Sequence, residues 1–148
     1  MTTRTLHILV LSSVMAGAAG MAAFSADLQR GTGTIEVTAA YQSVTPAQLA
    51  DMRKDYFLVN VHTPFAGAIA GTDAFIPYDE TAARLKEYPA DRNAKIVVYC
   101  RSGRMSEIAA RVLALAGYTN VLDLSGGMIG WKAAGFTVLE TPVDSRSK

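Results

Sequence analysis

The stretch Lys95-Ile96-Val97-Val98-Tyr99-Cys100-Arg101-Ser102-Gly103-Arg104-Met105-Ser106 constrains this chain more than any other. It opens on a short β-branched apolar run, which reads as a buried strand. The run empties into a turn rich in Gly, Ser and Arg that carries the only cysteine of the chain, Cys100. Beyond the turn, Ile108, Ala109, Val112, Leu115 and Ala116 recur on one face at helical spacing. That spacing predicts an amphipathic helix over Glu107–Ala116, with Gly117 as its C-terminal stop.

Strand, tight loop and helix in that order have a chemical consequence. The backbone N–H groups that follow Cys100 can turn inward around its sulfur, and the helix behind presents its positive end to the same point. Arg101 and Arg104 add two full charges to the loop. All three effects favour thiolate over thiol and make Cys100 the candidate nucleophile. An inert core cysteine is the competing reading, since free cysteines are often buried. A Gly/Arg loop has no purpose beside such a residue.

Composition narrows the remaining possibilities. The 148 residues suffice for one domain with a core, half of them are hydrophobic, and the formal charge is +1. A near-neutral balance gives no support for a nucleic-acid partner. A single cysteine excludes an internal disulfide and a Cys-x-x-Cys redox pair. The two histidines, His7 and His62, do not suggest a metal site, and no cofactor is implied.

Residues 1–25 read as a signal peptide: Arg4 supplies a basic start, an apolar small-residue run extends through Phe24, and no acidic residue precedes Asp27. Ala23-Phe24-Ser25 suits cleavage after Ser25. No cysteine follows the run, which excludes a lipoprotein anchor. The alternative is an uncleaved membrane anchor, because Leu6–Phe24 is close to the roughly 20 residues that span a bilayer. Either fate places the domain outside the cytoplasm, periplasmic or secreted. Residues 26–43 read as a lead-in, with a short edge strand possible at Thr34–Thr38. Thr45-Pro46-Ala47-Gln48 has the N-cap, N1 proline and capping-box glutamine of a helix start. Tyr56–Val61 reads as a strand buried on both faces. Thr81–Glu87 reads as a helix ending before Pro89, Val121–Leu124 as a strand, and Phe136–Leu139 as a last extended piece. Residues 44–140 form the domain and 141–148 a polar tail. Strands alternating with helices imply a parallel α/β sheet covered on both faces.

The loop Cys100-Arg101-Ser102-Gly103-Arg104-Met105 resembles the active-site loop of the rhodanese family of sulfurtransferases, which commonly shows Cys-Arg-x-Gly and two variable positions. Two further segments extend the resemblance. Val59, Val61, Pro64, Ile69, Gly71, Thr72, Ile76 and Pro77 match the family's first motif. Gly126-Gly127, Trp131, Ala134 and Gly135 match its C-terminal signature. The chain departs from the pattern at Asn60, His62 and Thr63, where the family usually has Asp, Arg and an acidic residue, so an ion pair is lost there. His62 has two readings, a general base beside Cys100 or a hydrogen-bonded residue at a strand end; the second is preferred because a thiolate needs no base.

The resemblance covers about residues 44–138. It implies a rhodanese-like fold, a small five-stranded parallel sheet flanked by helices on both faces. It implies sulfur transfer through a Cys100 persulfide, from thiosulfate or a related donor to a thiol or cyanide, with Arg101, Ser102, Gly103, Arg104 and Met105 as the substrate-binding loop. Two alternatives stand beside it. One is a non-enzymatic sulfur carrier or partner-binding module whose acceptor is a protein. The other is phosphatase or arsenate reductase chemistry on the same fold. That chemistry needs cysteine, five residues and then arginine, a position held here by Ser106.

Overall fold

The computed structural model describes residues 40–141. The leader expected over 1–25, the edge strand considered at Thr34–Thr38, and the tail from 142 on lie outside the described residues.

Five short strands form one parallel sheet. They are β1 (Gln42–Val44), β2 (Phe57–Asn60), β4 (Ala74–Phe75), β5 (Lys95–Tyr99) and β6 (Asn120–Leu124), in the order β1-β6-β5-β2-β4. Two further strands, β3 (Ala68–Ile69) and β7 (Val138–Leu139), pair antiparallel beside it. β5 holds the centre, with Val59 opposite Val98 on one side and Asp123 opposite Val98 on the other. A central parallel strand must be apolar on both faces, and Ile96, Val97, Val98 and Tyr99 are all fully buried.

Side-chain alternation along β5 divides the core into two layers. Ile96 and Val98 pack with Ala109, Ala110 and Leu113 of α2 (Arg104–Leu115). Val97 and Tyr99 pack with Leu49 of α1 (Pro46–Met52) and with Met128 and Trp131 of α3 (Gly127–Ala133). The sheet is therefore covered on both faces. The α1 start is the expected capping box: the Gln48 N–H donates to the Thr45 hydroxyl and the Gln48 side chain accepts from the Thr45 N–H.

Four expectations change. α2 begins at Arg104 rather than Glu107, so its first turn is part of the cysteine loop. Its buried face is Ser106, Ala109, Ala110 and Leu113, while Ile108 is 48% and Leu115 63% exposed. Small residues face the sheet because the helix lies close against it. Thr81–Glu87 is a run of turns ending in a 3-10 turn at Leu85–Glu87 instead of a helix. Ala82 and Ala83 are exposed and give no apolar stripe to dock, and a segment so short does not hold a helix unaided. The Arg84 guanidinium instead bridges Glu80 and Glu87. Finally, Gln42–Val44, in and just beyond the stretch read as lead-in, adds strand β1 to the sheet edge against β6.

Tyr99 locks the crossover beneath the cysteine. Its hydroxyl accepts from the Ile69 N–H at 3.0 Å and lies 2.6 Å from the Thr72 hydroxyl. The Thr72 proton is committed to the Ile69 carbonyl at 2.7 Å, so Tyr99 donates to Thr72 and the three groups close a ring. On the other side, Gly127 lets the N-terminus of α3 reach the cysteine loop. The Met128 N–H donates to the Cys100 carbonyl at 2.9 Å and the Ile129 N–H to the Arg101 carbonyl at 3.0 Å. A Cβ on Gly127 would strike the Cys100 carbonyl oxygen and lie 2.8 Å from the Arg101 carbonyl carbon, and the residue has a φ of +54°.

Tyr99→Phe leaves the buried Ile69 N–H without its acceptor and is expected to cost about 1–3 kcal/mol in urea unfolding. Gly127→Ala is expected to cost about 2 kcal/mol or more by the same measurement, because a left-handed backbone and a backbone clash add together.

Candidate functional site

The site is built where β5 ends and α2 begins. Cys100 is the first residue after the strand and is 1% exposed. Gly103 caps α2 with a φ of 106°, a conformation that glycine alone adopts freely, and this turns its N–H back toward the sulfur. The Gly103 N–H donates to Cys100 Sγ at 3.1 Å. The Ser106 hydroxyl, buried in the first turn of α2, lies 3.7 Å from Sγ and 2.9 Å from the Gly103 carbonyl, to which it donates. The sulfur is thus held at the positive end of a three-turn helix.

Above Cys100 opens a cleft of about 360 Å³ lined by His62, Tyr78, Cys100, Ser102, Arg104, Met105 and Ile108. Of the loop residues expected from the sequence, Ser102, Arg104 and Met105 line this cleft and Gly103 supports the sulfur from behind. Arg101 is placed differently. It is exposed and lines a second cleft of about 250 Å³ with Gly67, Met128, Ile129 and Lys132 among others. The cation in the cysteine cleft is therefore Arg104.

Three cleft residues were not singled out as substrate-facing. Ile108 follows Arg104 by one helical turn, a spacing that could have revealed it. Tyr78 carried no signal, since the bend after Pro77 that turns it inward is tertiary. His62 was assigned to a strand end, and its backbone N–H does bond the Asn60 side chain at 3.0 Å. Its ring nevertheless lines the cleft, with Nδ1 buried and without a hydrogen-bond partner among the described residues. Burial, with the Arg101 guanidinium nearby, holds the imidazole below its ordinary range, so it is neutral at neutral pH.

Asn60 explains how the turn after β2 closes without the family's acidic residue. Its Nδ2 donates to the Gly67 carbonyl at 2.9 Å while its Oδ1 accepts from the His62 N–H. A carboxylate has no proton for the first of these bonds, whereas an amide makes both without burying a charge.

A family model described as Rhodanese-like domain matches residues 36–134. A protein named sulfurtransferase from Allochromatium vinosum is 36% identical over 94 residues, covering 62% of this chain and 85% of that protein. The crystal structure of a rhodanese-related protein from Thermoplasma volcanium is 31% identical and superposes with a TM-score of 0.60, over 68% of this chain and all of that one. The CoADR-RHD protein of Bacillus anthracis, 27% identical, matches with a TM-score of 0.59 over 67% of this chain and 18% of its own length. The parallel sheet, the cysteine loop capped by Gly103 and these matches agree, and the chain belongs to the family of rhodanese-like domains.

Proposed function

We propose that this protein is a sulfurtransferase that carries sulfane sulfur on Cys100. The observation that carries this reading is the Gly103 N–H aimed at Cys100 Sγ from the N-terminus of α2, at the floor of an open cleft. The matching family and the relative named a sulfurtransferase support the same role.

In the first half-reaction the Cys100 thiolate attacks the outer sulfur of thiosulfate. A sulfur–sulfur bond forms to Cys100, the sulfur–sulfur bond of the donor breaks, and sulfite leaves with the electron pair. The terminal persulfide sulfur is anionic and sits where the α2 dipole and the loop N–H groups stabilise it. In the second half-reaction a thiolate or cyanide attacks that terminal sulfur and returns the electron pair to Cys100. Arg104 is the charged group placed to attract an anionic donor and hold its leaving group. Burial, with Arg101 nearby, holds the His62 imidazole below its ordinary range, and neither step, with thiolate or cyanide as the acceptor, requires a proton transfer.

A sulfur carrier serving a protein acceptor is the second reading, favoured by Ile108, which lines the cleft yet is half exposed. Phosphatase chemistry has no support. Ser106 holds the position where an oxyanion-clamping arginine is required, and it is buried beneath the loop. With the basic start and apolar run of the leader, the proposed setting is the periplasm or the cell exterior.

Intact-protein mass spectrometry after thiosulfate is expected to show one added sulfur atom that cyanide removes. Cys100→Ser abolishes both the mass gain and turnover while leaving the unfolding midpoint near that of the parent; full activity in this variant would end the proposal. A mass gain without turnover on cyanide identifies the carrier. Arg104→Ala is expected to raise the thiosulfate KM about tenfold, the loss of one charge-assisted contact, with little change in stability. An unchanged KM would remove Arg104 from donor binding.

A further inference from the structure

α2 carries apolar side chains on two faces, and closing the sheet uses only one of them. Ser106, Ala109, Ala110 and Leu113 turn toward the sheet. Ile108 and Leu115 turn to solvent. A helix whose single task is to cover a sheet keeps its outer face polar. Two of the four large hydrophobic side chains exposed among the described residues lie on this one helix, so the outer face has a second task.

The exposed residues form a line. Arg104, Ile108, Arg111 and Leu115 follow one another at intervals of four, three and four residues, the spacing of a seam along which two helices pack. The seam is about 16 Å long at the usual helical rise. It starts in the cysteine cleft, whose wall includes Arg104 and Ile108. Arg111 and Leu115 continue it beyond the cleft and take no part in the site.

The charge along the seam is uncompensated. Glu107 stands three residues after Arg104 and four before Arg111, yet neither guanidinium forms an ion pair with any carboxylate among the described residues. Two arginines against one glutamate leave the outer face of α2 positive. A second copy of the chain would bring like charge to like charge. A membrane surface calls for a broader apolar face than two side chains. An acidic protein surface meets both the charge and the apolar spacing.

We propose that this seam docks a partner protein that exchanges sulfur with Cys100, and that the partner presents a short acidic amphipathic helix. Its apolar side chains lie against Ile108 and Leu115, and its carboxylates against Arg104 and Arg111. Because the seam runs into the cleft, a thiolate at the end of that helix is delivered over Cys100. It attacks the terminal persulfide sulfur; one sulfur–sulfur bond forms, one breaks, and the electron pair returns to Cys100. This surface presupposes Cys100 as a sulfur carrier and adds the class of protein that it serves.

Fluorescence polarisation with a labelled, alanine-based helical peptide tests the docking. The peptide carries leucines and glutamates at the spacing of the seam, and a control carries lysine for each glutamate. The glutamate peptide is expected to bind the parent protein at least about tenfold more tightly than the control, with the advantage shrinking at high salt. Arg111→Glu and Leu115→Ser are each expected to weaken its binding at least about threefold. Thiocyanate formation from thiosulfate and cyanide stays at the parent level in both variants, since neither side chain lines the cleft. With Cys100 loaded with sulfur and a cysteine at the end of the peptide, transfer to the peptide slows in both variants while transfer to cyanide does not. Failure of the glutamate peptide to bind, equal binding of the two peptides, or parent-like binding by both variants overturns the proposal. A parent dimer that Leu115→Ser dissociates assigns the seam to a second copy and overturns it. Leu115-dependent retention on phosphatidylglycerol vesicles, without a preference between peptides, assigns the seam to a membrane and overturns it as well. Should mass spectrometry show no sulfur on Cys100, the sulfurtransferase reading fails on its own, and the binding measurements still decide the docking surface.

Discussion

The backbone at the end of β5 is claimed from two sides by three hydrogen bonds, and the position of the cysteine follows from that. The Val61 N–H takes the Tyr99 carbonyl, the Met128 N–H takes the Cys100 carbonyl and the Ile129 N–H takes the Arg101 carbonyl. The first comes from the residue after β2, and the other two come from the N-terminus of α3. A strand end held this way has no freedom to swing, so the next residues must turn through Gly103 into α2, and the Gly103 N–H meets the sulfur as a result. Gly127 is the condition for two of these bonds, because a side chain there would occupy the space of the loop carbonyls.

Charge is used sparingly around this point. Asn60 holds the turn after β2 with a neutral amide, His62 is kept neutral by burial and by the nearby guanidinium, and burial disfavours ionisation of Asp123. The positive potential at the sulfur comes chiefly from backbone dipoles, which need no counter-ion and cost no side-chain entropy. Arg104 then stands as the single cation of the cleft, and Arg101 serves a neighbouring concavity with Lys132. The cleft is also wider and more apolar than a small dianion requires, since Tyr78, Met105 and Ile108 share its walls.

Much of this was legible along the chain. The run Ile96–Val98, the lone cysteine, the glycines that follow it and the paired glycines before Trp131 are local signals. A strand needs β-branched residues, a tight turn needs glycine, and a helix start needs a cap, so each can be read without knowing what lies opposite. The capping box at Thr45 and the stop at Gly117 belong to the same class. The helical period after Arg104 was also real, but its phase was misjudged: Ile108 and Leu115 face outward and Ser106 and Ala110 face in.

The sequence by itself determined that one cysteine sits at a strand-to-helix turn backed by a helix dipole, because those features depend on residues adjacent in the chain. Only the tertiary structure decided which groups surround that cysteine. Ser106, Tyr78 and His62 reach the cysteine or its cleft from separate parts of the chain, Arg101 lines a neighbouring cleft, and β1 joins the sheet edge by pairing with β6 and by burying Val44 in the core. The physical reason is that burial, desolvation and strand pairing are set by distances across the fold, which no local pattern of residues records.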